Sequence, residues 1–166
     1  IRSLIGELER IHSHLLWLGL AGHFLGFNTV WMWAWRYRED VLTICEQITG
    51  NRQHYGMLKP GGVRRDVLPE DVPAIEKMLD GLNKPLNLFQ DTVAQDPLIQ
   101  ARAEGIGILT AEQVRNLGAL GPTARASGVD IDVRRDHPHA AYDRVEWDVS
   151  LESKGDVFDK IMVRIR

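Results

Sequence analysis

The chain has 166 residues, of which 44% are apolar and 26% are charged, and its formal net charge is −3. This composition is typical of one globular domain and excludes a disordered or low-complexity chain. Because basic residues are not in excess, there is no compositional case for nucleic-acid binding. The one cysteine, Cys45, excludes an intrachain disulfide, a zinc ribbon or an iron–sulfur cluster held by this chain alone.

Both ends of the sequence fall inside helical patterns. Apolar residues near the start recur at helical spacing, namely Leu4, Leu8, Ile11, Leu15 and Leu18. Helical spacing also continues up to the last residues, through Val157, Phe158, Ile161, Met162 and Ile165. We therefore expect residues 1–166 to be a single fragment of one domain, truncated at both ends.

Residues 15–35 carry no charged side chain, and this length would suit a transmembrane helix. However, Gly26 is a typical helix end and Asn28 a typical N-cap, so we favour two helices that meet there and pack as a buried hairpin. The second helix is expected to end at Gly50, with Cys45 on its apolar face as a small core residue. We predict no transmembrane segment.

The middle of the chain is predicted to contain a loop and a long helix. Residues 51–68 include Pro60-Gly61-Gly62 and are predicted as a loop. Helical spacing resumes over residues 69–95, where Pro85 is expected to kink or divide the helix.

Shorter elements are predicted beyond residue 95. Asp96-Pro97 is expected to start a short helix, and Thr110 with Gln113 predicts a capping box for another. Residues 118–144 are predicted as a structured loop. Apolar and polar residues alternate over 145–151, which predicts a half-buried β-strand, and Asp156 is expected to cap a last helix. The predicted fold class is mainly α with a minor β element.

No residue pattern by itself marks a catalytic centre. His12 and His14 are two residues apart on a helix, so they point to nearly opposite sides and cannot share a metal ion. We expect each to be hydrogen-bonded within the fold or to face solvent. His137 and His139 form a loop pair without a third ligand at useful spacing, so no metal site is predicted.

One sequence recurs: Val63-Arg64-Arg65-Asp66 returns as Val133-Arg134-Arg135-Asp136. These could be local Arg–Asp pairs in exposed loops, each worth about 0–1 kcal/mol. Alternatively, clustered guanidinium groups could meet an anionic centre or the carboxylates of a partner. The spacing alone leaves both interpretations open.

Three segments together resemble a known family. They are ELERIHSHL at 7–15, TGNR at 49–52 leading into PGGVRRD at 60–66, and GPTARASG at 121–128 with VRRD at 133–136. Their order and spacing resemble the large subunit of energy-converting, membrane-bound nickel–iron hydrogenases and the homologous 49-kilodalton subunit of respiratory complex I. Residues 36–40, 142–143 and 155–156 are also similar to that family.

The resemblance implies an oxidoreductase subunit that packs on a small iron–sulfur subunit beside the membrane subunits of a complex, peripheral on the cytoplasmic face. In the hydrogenase members, two Cys-x-x-Cys pairs hold nickel and iron, and neither pair is present here. We therefore expect no metal or cofactor in these residues, with any nickel–iron centre confined to a longer protein. We also expect the isolated fragment to be inactive and to associate with itself.

The resemblance also implies a site. It places His54 beside the terminal 4Fe–4S cluster of the neighbouring subunit. An imidazole suits this position because it titrates near neutral pH, and hydrogen bonds or charge near a cluster tune its potential. Arg64 and Arg65 follow the Pro-Gly-Gly turn in the same loop, and we expect them to face the same interface.

Two functions follow from the two branches of the family. The resemblance implies that complex I relatives have an aspartate at the position that Trp17 takes here. That aspartate belongs to their quinone pocket. Since Trp17 cannot exchange a proton, we favour a fragment of a proton-reducing hydrogenase coupled to ion translocation. The alternative is a complex I type subunit of an NADH:quinone oxidoreductase, which binds NAD and quinone. A helical interaction module without a redox role is a third possibility.

Overall fold

The computed structural model describes residues 1–166, and most of them lie in helices. The elements in chain order are α1 (Arg2–Phe24), α2 (Asn28–Thr49), β1 (Leu58–Lys59), β2 (Gly62–Val63), α3 (Val72–Gln95), α4 (Pro97–Ala103), α5 (Ala111–Leu117), α6 (Pro122–Ala126), α7 (Val133–Asp136) and α8 (Val157–Ile165). The predicted class, mainly α with a minor β element, is confirmed.

Helices α1 and α2 form the predicted hairpin. The two helices approach so closely near their connection that a Cβ at Gly22 would lie 2.7 Å from Cγ1 of Val30. At the other end of α2, Gly50 adopts a φ of 80°, which reverses the chain and ends the helix as predicted. No helix is both long enough and apolar enough to cross a membrane.

One apolar core joins the hairpin to α3, α4 and α8. Its members include Leu8 and Leu15 of α1, Phe89 of α3 and Ile161 of α8. The Phe89 ring is fully buried and meets the Tyr37 ring of α2 edge-on, with 6.1 Å between the centroids. The core therefore holds α1 between α2 and α8, which places the polar face of α1 beside the loops that follow α5.

Apolar side chains remain exposed at the closed end of the hairpin. We call this set the hairpin-tip patch, and its members are Leu20, Phe24, Trp31, Met32 and Trp35. Phe24 is 81% exposed. Several exposed apolar side chains close to one another on a helical hairpin are typical of a partner contact.

The short helices begin at the predicted caps. The Asp96 carboxylate accepts hydrogen bonds from the first backbone N–H groups of α4, and the Thr110–Gln113 capping box is complete. Asp156 accepts the backbone N–H of Asp159 at 2.8 Å and caps α8. These side chains satisfy N–H groups that a helix leaves unpaired at its start.

Three predictions about the irregular regions were wrong. Residues 51–68 contain the antiparallel pair β1–β2, joined by Pro60 and Gly61 in a two-residue turn. Helix α3 begins at Val72 rather than at residue 69, and of the two outcomes expected at Pro85 the division does not occur. Residues 118–144 contain the helices α6 and α7 rather than loop alone.

The predicted strand over residues 145–151 is also absent. No second strand lies beside this segment, so its backbone has no partner with which to form a ladder. Its alternating apolar residues do not share a buried face, since Val145 is 58% exposed and Leu151 is 42% exposed. Trp147 instead packs beneath the guanidinium group of Arg134, at 4.4 Å from the ring centroid.

Candidate functional site

The loop after α2 carries His54. The side-chain oxygen Oδ1 of Asn51 accepts hydrogen bonds from the backbone N–H groups of Gln53 and His54, both at 3.0 Å. These bonds fix the turn that follows Gly50. The imidazole of His54 is exposed and makes no hydrogen bond within the chain, so both ring nitrogens are available to a partner.

The β1–β2 pair brings Arg64 and Arg65 onto the same loop. The backbone N–H of Arg64 donates to the Met57 carbonyl at 2.9 Å. The Arg64 guanidinium lies close to Gly56: a Cβ placed on that glycine would be 3.8 Å from it. The Arg65 guanidinium lies close to Gly50, where a Cβ would be 3.3 Å from it. Both side chains are exposed and neither forms an ion pair. The structure thus places the three predicted site residues on one exposed surface, and their proximity to a cluster stays a prediction.

Polar groups are buried in the helices beneath this loop. Arg38 is 6% exposed, its guanidinium lies 5.2 Å from the Trp35 ring centroid, and its Nε has no hydrogen-bond partner. His12 Nδ1 is also buried without a partner. Burial raises the pKa of the Cys45 thiol, which is fully enclosed and therefore stays protonated at neutral pH.

A second group of functional side chains lies on α6 and α7. Asp132 caps α7, and its carboxylate forms an ion pair with Arg125 Nη1 at 3.0 Å. Its carboxylate also accepts Nε and Nη2 of Arg134, at 2.9 and 2.7 Å, in a bidentate arrangement. Burial opposes ionisation of Asp132, but the hydrogen bonds from Arg134 outweigh it and lower the pKa to about 2. Asp132 is therefore an anion that two guanidinium groups share.

Glu7 connects α1 to this group. Arg134 Nη1 lies 3.1 Å from Glu7 Oε1, Arg10 Nε donates to Glu7 Oε2 at 3.0 Å, and the Tyr142 hydroxyl donates to Oε1. Burial acts to raise the pKa of Glu7, but the hydrogen bonds from Tyr142 and Arg10 act in the opposite direction and prevail. The pKa of Glu7 is therefore below its usual value. The first and third segments of the family resemblance therefore meet in one ion-pair network.

A cavity of about 370 Å³ opens beside this network, and we call it the α1–α8 cavity. The apolar part of its lining includes Leu15, Leu18, Phe89 and Val163. The polar part, which we call the polar wall, comes from Glu7, Arg10, His14, Arg125, Arg134, Asp148, Ser150, Arg164 and Arg166. The polar wall offers positive charge and hydrogen-bond donors rather than a nucleophile.

His14 and Arg164 form one side of the polar wall. His14 Nδ1 lies 3.1 Å from the Arg164 carbonyl oxygen. Burial, followed by the Arg164 charge, lowers the pKa of His14 to about 4, so the neutral ring donates through Nδ1–H. The Arg164 guanidinium stacks 4.0 Å from the Trp17 ring centroid, and burial together with Arg125 lowers its pKa to about 10.

His12 and His14 face different neighbours, as predicted. His12 lies near Arg38, whose charge adds to burial in lowering the pKa of His12, whereas His14 faces α8. On the sequence alone, His14 is expected either to be hydrogen-bonded within the fold or to face solvent, and it is not placed in a site. Glu7 and Arg125 likewise receive no role from the sequence, although both lie in segments that carry the resemblance. The structure adds these residues by bringing those segments together.

Comparisons with known proteins agree with the resemblance. Residues 25–166 match the family described as "Respiratory-chain NADH dehydrogenase, 49 Kd subunit". The chain is 39% identical over 166 residues to NADH-quinone oxidoreductase subunit 4 of Thermus thermophilus, covering 100% of this chain and 41% of that relative. It is 38% identical over 170 residues to a subunit of the F(420)H(2) dehydrogenase of Methanosarcina mazei, covering 99% of this chain and 44% of that relative.

A third relative is a subunit of the NADH-quinone oxidoreductase of Clostridium beijerinckii, at 35% identity over 165 residues. It is matched over 99% of this chain and 45% of its own length, so the chain spans less than half of each of these relatives. Because the family match covers most of the residues, the chain belongs to the family of the 49 Kd subunit of the respiratory-chain NADH dehydrogenase.

Proposed function

We propose that these residues belong to an electron-transfer subunit of a membrane-associated oxidoreductase complex of the NADH–quinone type, whose partners include an iron–sulfur subunit and membrane subunits. The observation that carries this proposal is the similarity along the whole chain to the Thermus thermophilus subunit. The Methanosarcina mazei relative belongs to an F(420)H(2) dehydrogenase. The proposal therefore specifies the kind of subunit and complex rather than the electron donor, and it places the subunit peripherally on the cytoplasmic face.

These relatives favour the complex I alternative over the hydrogenase interpretation. That interpretation depended on Trp17, which cannot exchange a proton. In the structure Trp17 packs on the core and beneath the Arg164 guanidinium, which is a structural role open to either branch. Trp17 therefore does not separate the two functions.

The residues of this chain do not fit a nickel–iron centre. The soft thiolate ligands of such a centre come from four cysteines in the hydrogenase members, and this chain has Cys45 alone, enclosed in the core. The second candidate function, a proton-reducing hydrogenase subunit, rests on the three family segments and needs two Cys-x-x-Cys pairs outside residues 1–166. The gene sequence on both sides tests this requirement directly.

Within the proposed complex, His54 lies at the contact with the iron–sulfur subunit, beside a 4Fe–4S cluster that the partner holds. Three features support this position. The imidazole is exposed, the Asn51 side chain fixes its loop, and the positive charges of Arg64 and Arg65 lie on the same surface. A positive charge or hydrogen-bond donor at this position would stabilise the reduced cluster, which carries more negative charge.

The test is a redox titration of the assembled complex, followed by electron paramagnetic resonance, with His54→Ala and His54→Met. We expect the midpoint potential of the nearest cluster to fall and its pH dependence to become weaker, because the charge, the donor and the titrating group are removed together. His137→Ala is the matched control, since His137 is an exposed histidine in another loop. An unchanged potential with an unchanged pH slope would contradict the position of His54.

A further inference from the structure

Two arginines are buried in the fold, and only one of them has a carboxylate. Arg125 and Arg38 are each 6% exposed. Arg125 pairs with Asp132 at 3.0 Å. The Arg38 guanidinium forms no ion pair and donates no hydrogen bond within the chain, and its Nε is enclosed without a partner. Because a guanidinium group is always charged in proteins, Arg38 is a buried cation without a counter-ion.

The side chains around Arg38 do not supply that counter-ion. Glu39 and Asp40, which follow it on α2, pair with other arginines. His12 of α1 is close enough that the Arg38 charge adds to burial in lowering the pKa of His12, so this imidazole is neutral near pH 7. Glu9 of α1 is exposed and forms no ion pair with Arg38. Leaving a buried charge unpaired is strongly unfavourable, so Arg38 needs an anion.

The Arg38 guanidinium can be reached from outside the fold. Of its nitrogen atoms only Nε is enclosed, so the terminal amino groups Nη1 and Nη2 reach the surface. The guanidinium lies 5.2 Å from the ring centroid of Trp35, which is 37% exposed and belongs to the hairpin-tip patch. Tyr55 is also close, since burial raises the pKa of Tyr55 and the Arg38 charge opposes this rise. Because Tyr55 directly follows His54, Arg38 connects the hairpin-tip patch to the His54 loop.

A surface that covers Arg38 must therefore combine two kinds of group. It must present apolar side chains to Trp35 and its neighbours in the hairpin-tip patch. It must also present negative charge to Arg38, and to Arg64 and Arg65, which are exposed and form no ion pair within the chain. An arginine enclosed at the edge of an aromatic surface is typical of the few residues that contribute most to binding at a protein interface.

We propose that Arg38 anchors the iron–sulfur subunit, whose Asp or Glu carboxylate accepts hydrogen bonds from Nη1 and Nη2 in a bidentate ion pair. This inference rests on the proposed function, which brings that subunit to His54. Apolar side chains beside the partner's carboxylate cover Trp35. Arg38 therefore lowers the stability of the separate subunit and gains its counter-ion only when the complex forms.

The test measures Arg38→Met in the full-length subunit, both alone and with the iron–sulfur subunit. Methionine keeps an unbranched, flexible side chain and removes the charge. We expect the dissociation constant for the iron–sulfur subunit to rise roughly 10-fold or more, while the melting temperature of the subunit alone does not fall. Arg38→Lys, which keeps the charge, should recover part of the affinity. Arg36→Met is the matched control, since Arg36 is an exposed arginine of α2 paired with Asp40, and neither quantity should change appreciably.

Two results would overturn the proposal. One is that Arg38→Met lowers the melting temperature of the subunit alone, because Arg38 would then have a counter-ion within the chain, and an equal loss in Glu9→Gln would identify it. The other is that Arg38→Met binds the iron–sulfur subunit as tightly as the unmodified subunit does, because no carboxylate of the partner would then meet Arg38. If the unmodified subunit itself does not bind the iron–sulfur subunit, the proposed function is wrong and this inference fails with it.

Discussion

Protonation of His14 should destabilise the fold well above the pH at which buried carboxylates titrate. The ring lies between α1 and α8, where Nδ1–H donates to the Arg164 carbonyl and the Arg164 charge is close. The imidazolium form would be desolvated and repelled by that charge. The folded chain therefore resists a proton that the unfolded chain accepts readily.

The magnitude follows from the change in pKa. The pKa of His14 falls from 6.5 to about 4 on folding, and a difference of about 2.5 at roughly 1.4 kcal/mol for each pH unit corresponds to about 3 kcal/mol of unfolding free energy. Because the folded-state pKa is the lower one, this contribution is fully present above pH 6.5. It is lost progressively as the pH falls from 6.5 through 4.

Urea unfolding at a series of pH values between 7.5 and 4 measures this effect. The unmodified chain should lose more stability over this interval than His14→Gln, by up to about 3 kcal/mol. His137→Gln, at an exposed loop position, should retain the full pH dependence. If His14→Gln and the unmodified chain lose stability in parallel, His14 titrates normally in the folded state and the reasoning is wrong.

Three further outcomes are expected. Asp132→Asn should cost about 3–5 kcal/mol in urea unfolding because it removes the one carboxylate that pairs with the buried Arg125 and one of the two that pair with Arg134. Asp130→Asn, at an exposed pair, should cost less than about 1 kcal/mol. Gly155→Ala should lower stability by more than about 1 kcal/mol, since φ at Gly155 is +71° and a Cβ would clash with a backbone carbonyl oxygen. Gly81→Ala is the control: a Cβ at this position in α3 has free space, so the substitution should be neutral or stabilising. The hairpin-tip patch should make the isolated chain associate, and light scattering that shows a monomer at all concentrations would contradict this.

Local signals in the sequence predicted most of the helix ends correctly. Gly50 ends α2 because only a residue tolerant of positive φ fits there, and Asp96 and Asp156 cap helices because their carboxylates reach N–H groups two or three residues ahead. Each of these interactions spans a few residues, so the residue type and its neighbours contain the necessary information. The alternation over residues 145–151 failed because a strand also needs a partner, which the local sequence does not specify.

The site could be predicted only in part for the same reason. In the sequence, Arg134 is one member of a repeated Val-Arg-Arg-Asp pattern, for which local pairing was one of two interpretations. The structure separates the members of that pattern. Arg135 pairs locally with Asp130 and Asp136 on the surface, as local pairing requires. Arg134 also pairs locally, with Asp132, but it reaches Glu7 as well, 127 residues away, and no pattern of charges along the chain could select that second partner.

The charged side chains of the family segments therefore fall into two groups: those that pair within the chain and those that are exposed. Glu7 and Arg134 are half-buried and bonded to each other, so their charges are used to join α1 to the loops around α7. The side chains of His54, Arg64 and Arg65 are exposed and form no hydrogen bond or ion pair within the chain, so they remain available to a partner. Substitutions at Glu7 should consequently lower the stability of the chain itself. Substitutions at Arg64 should leave stability unchanged and act only on the assembled complex, where its potential or its assembly can be measured.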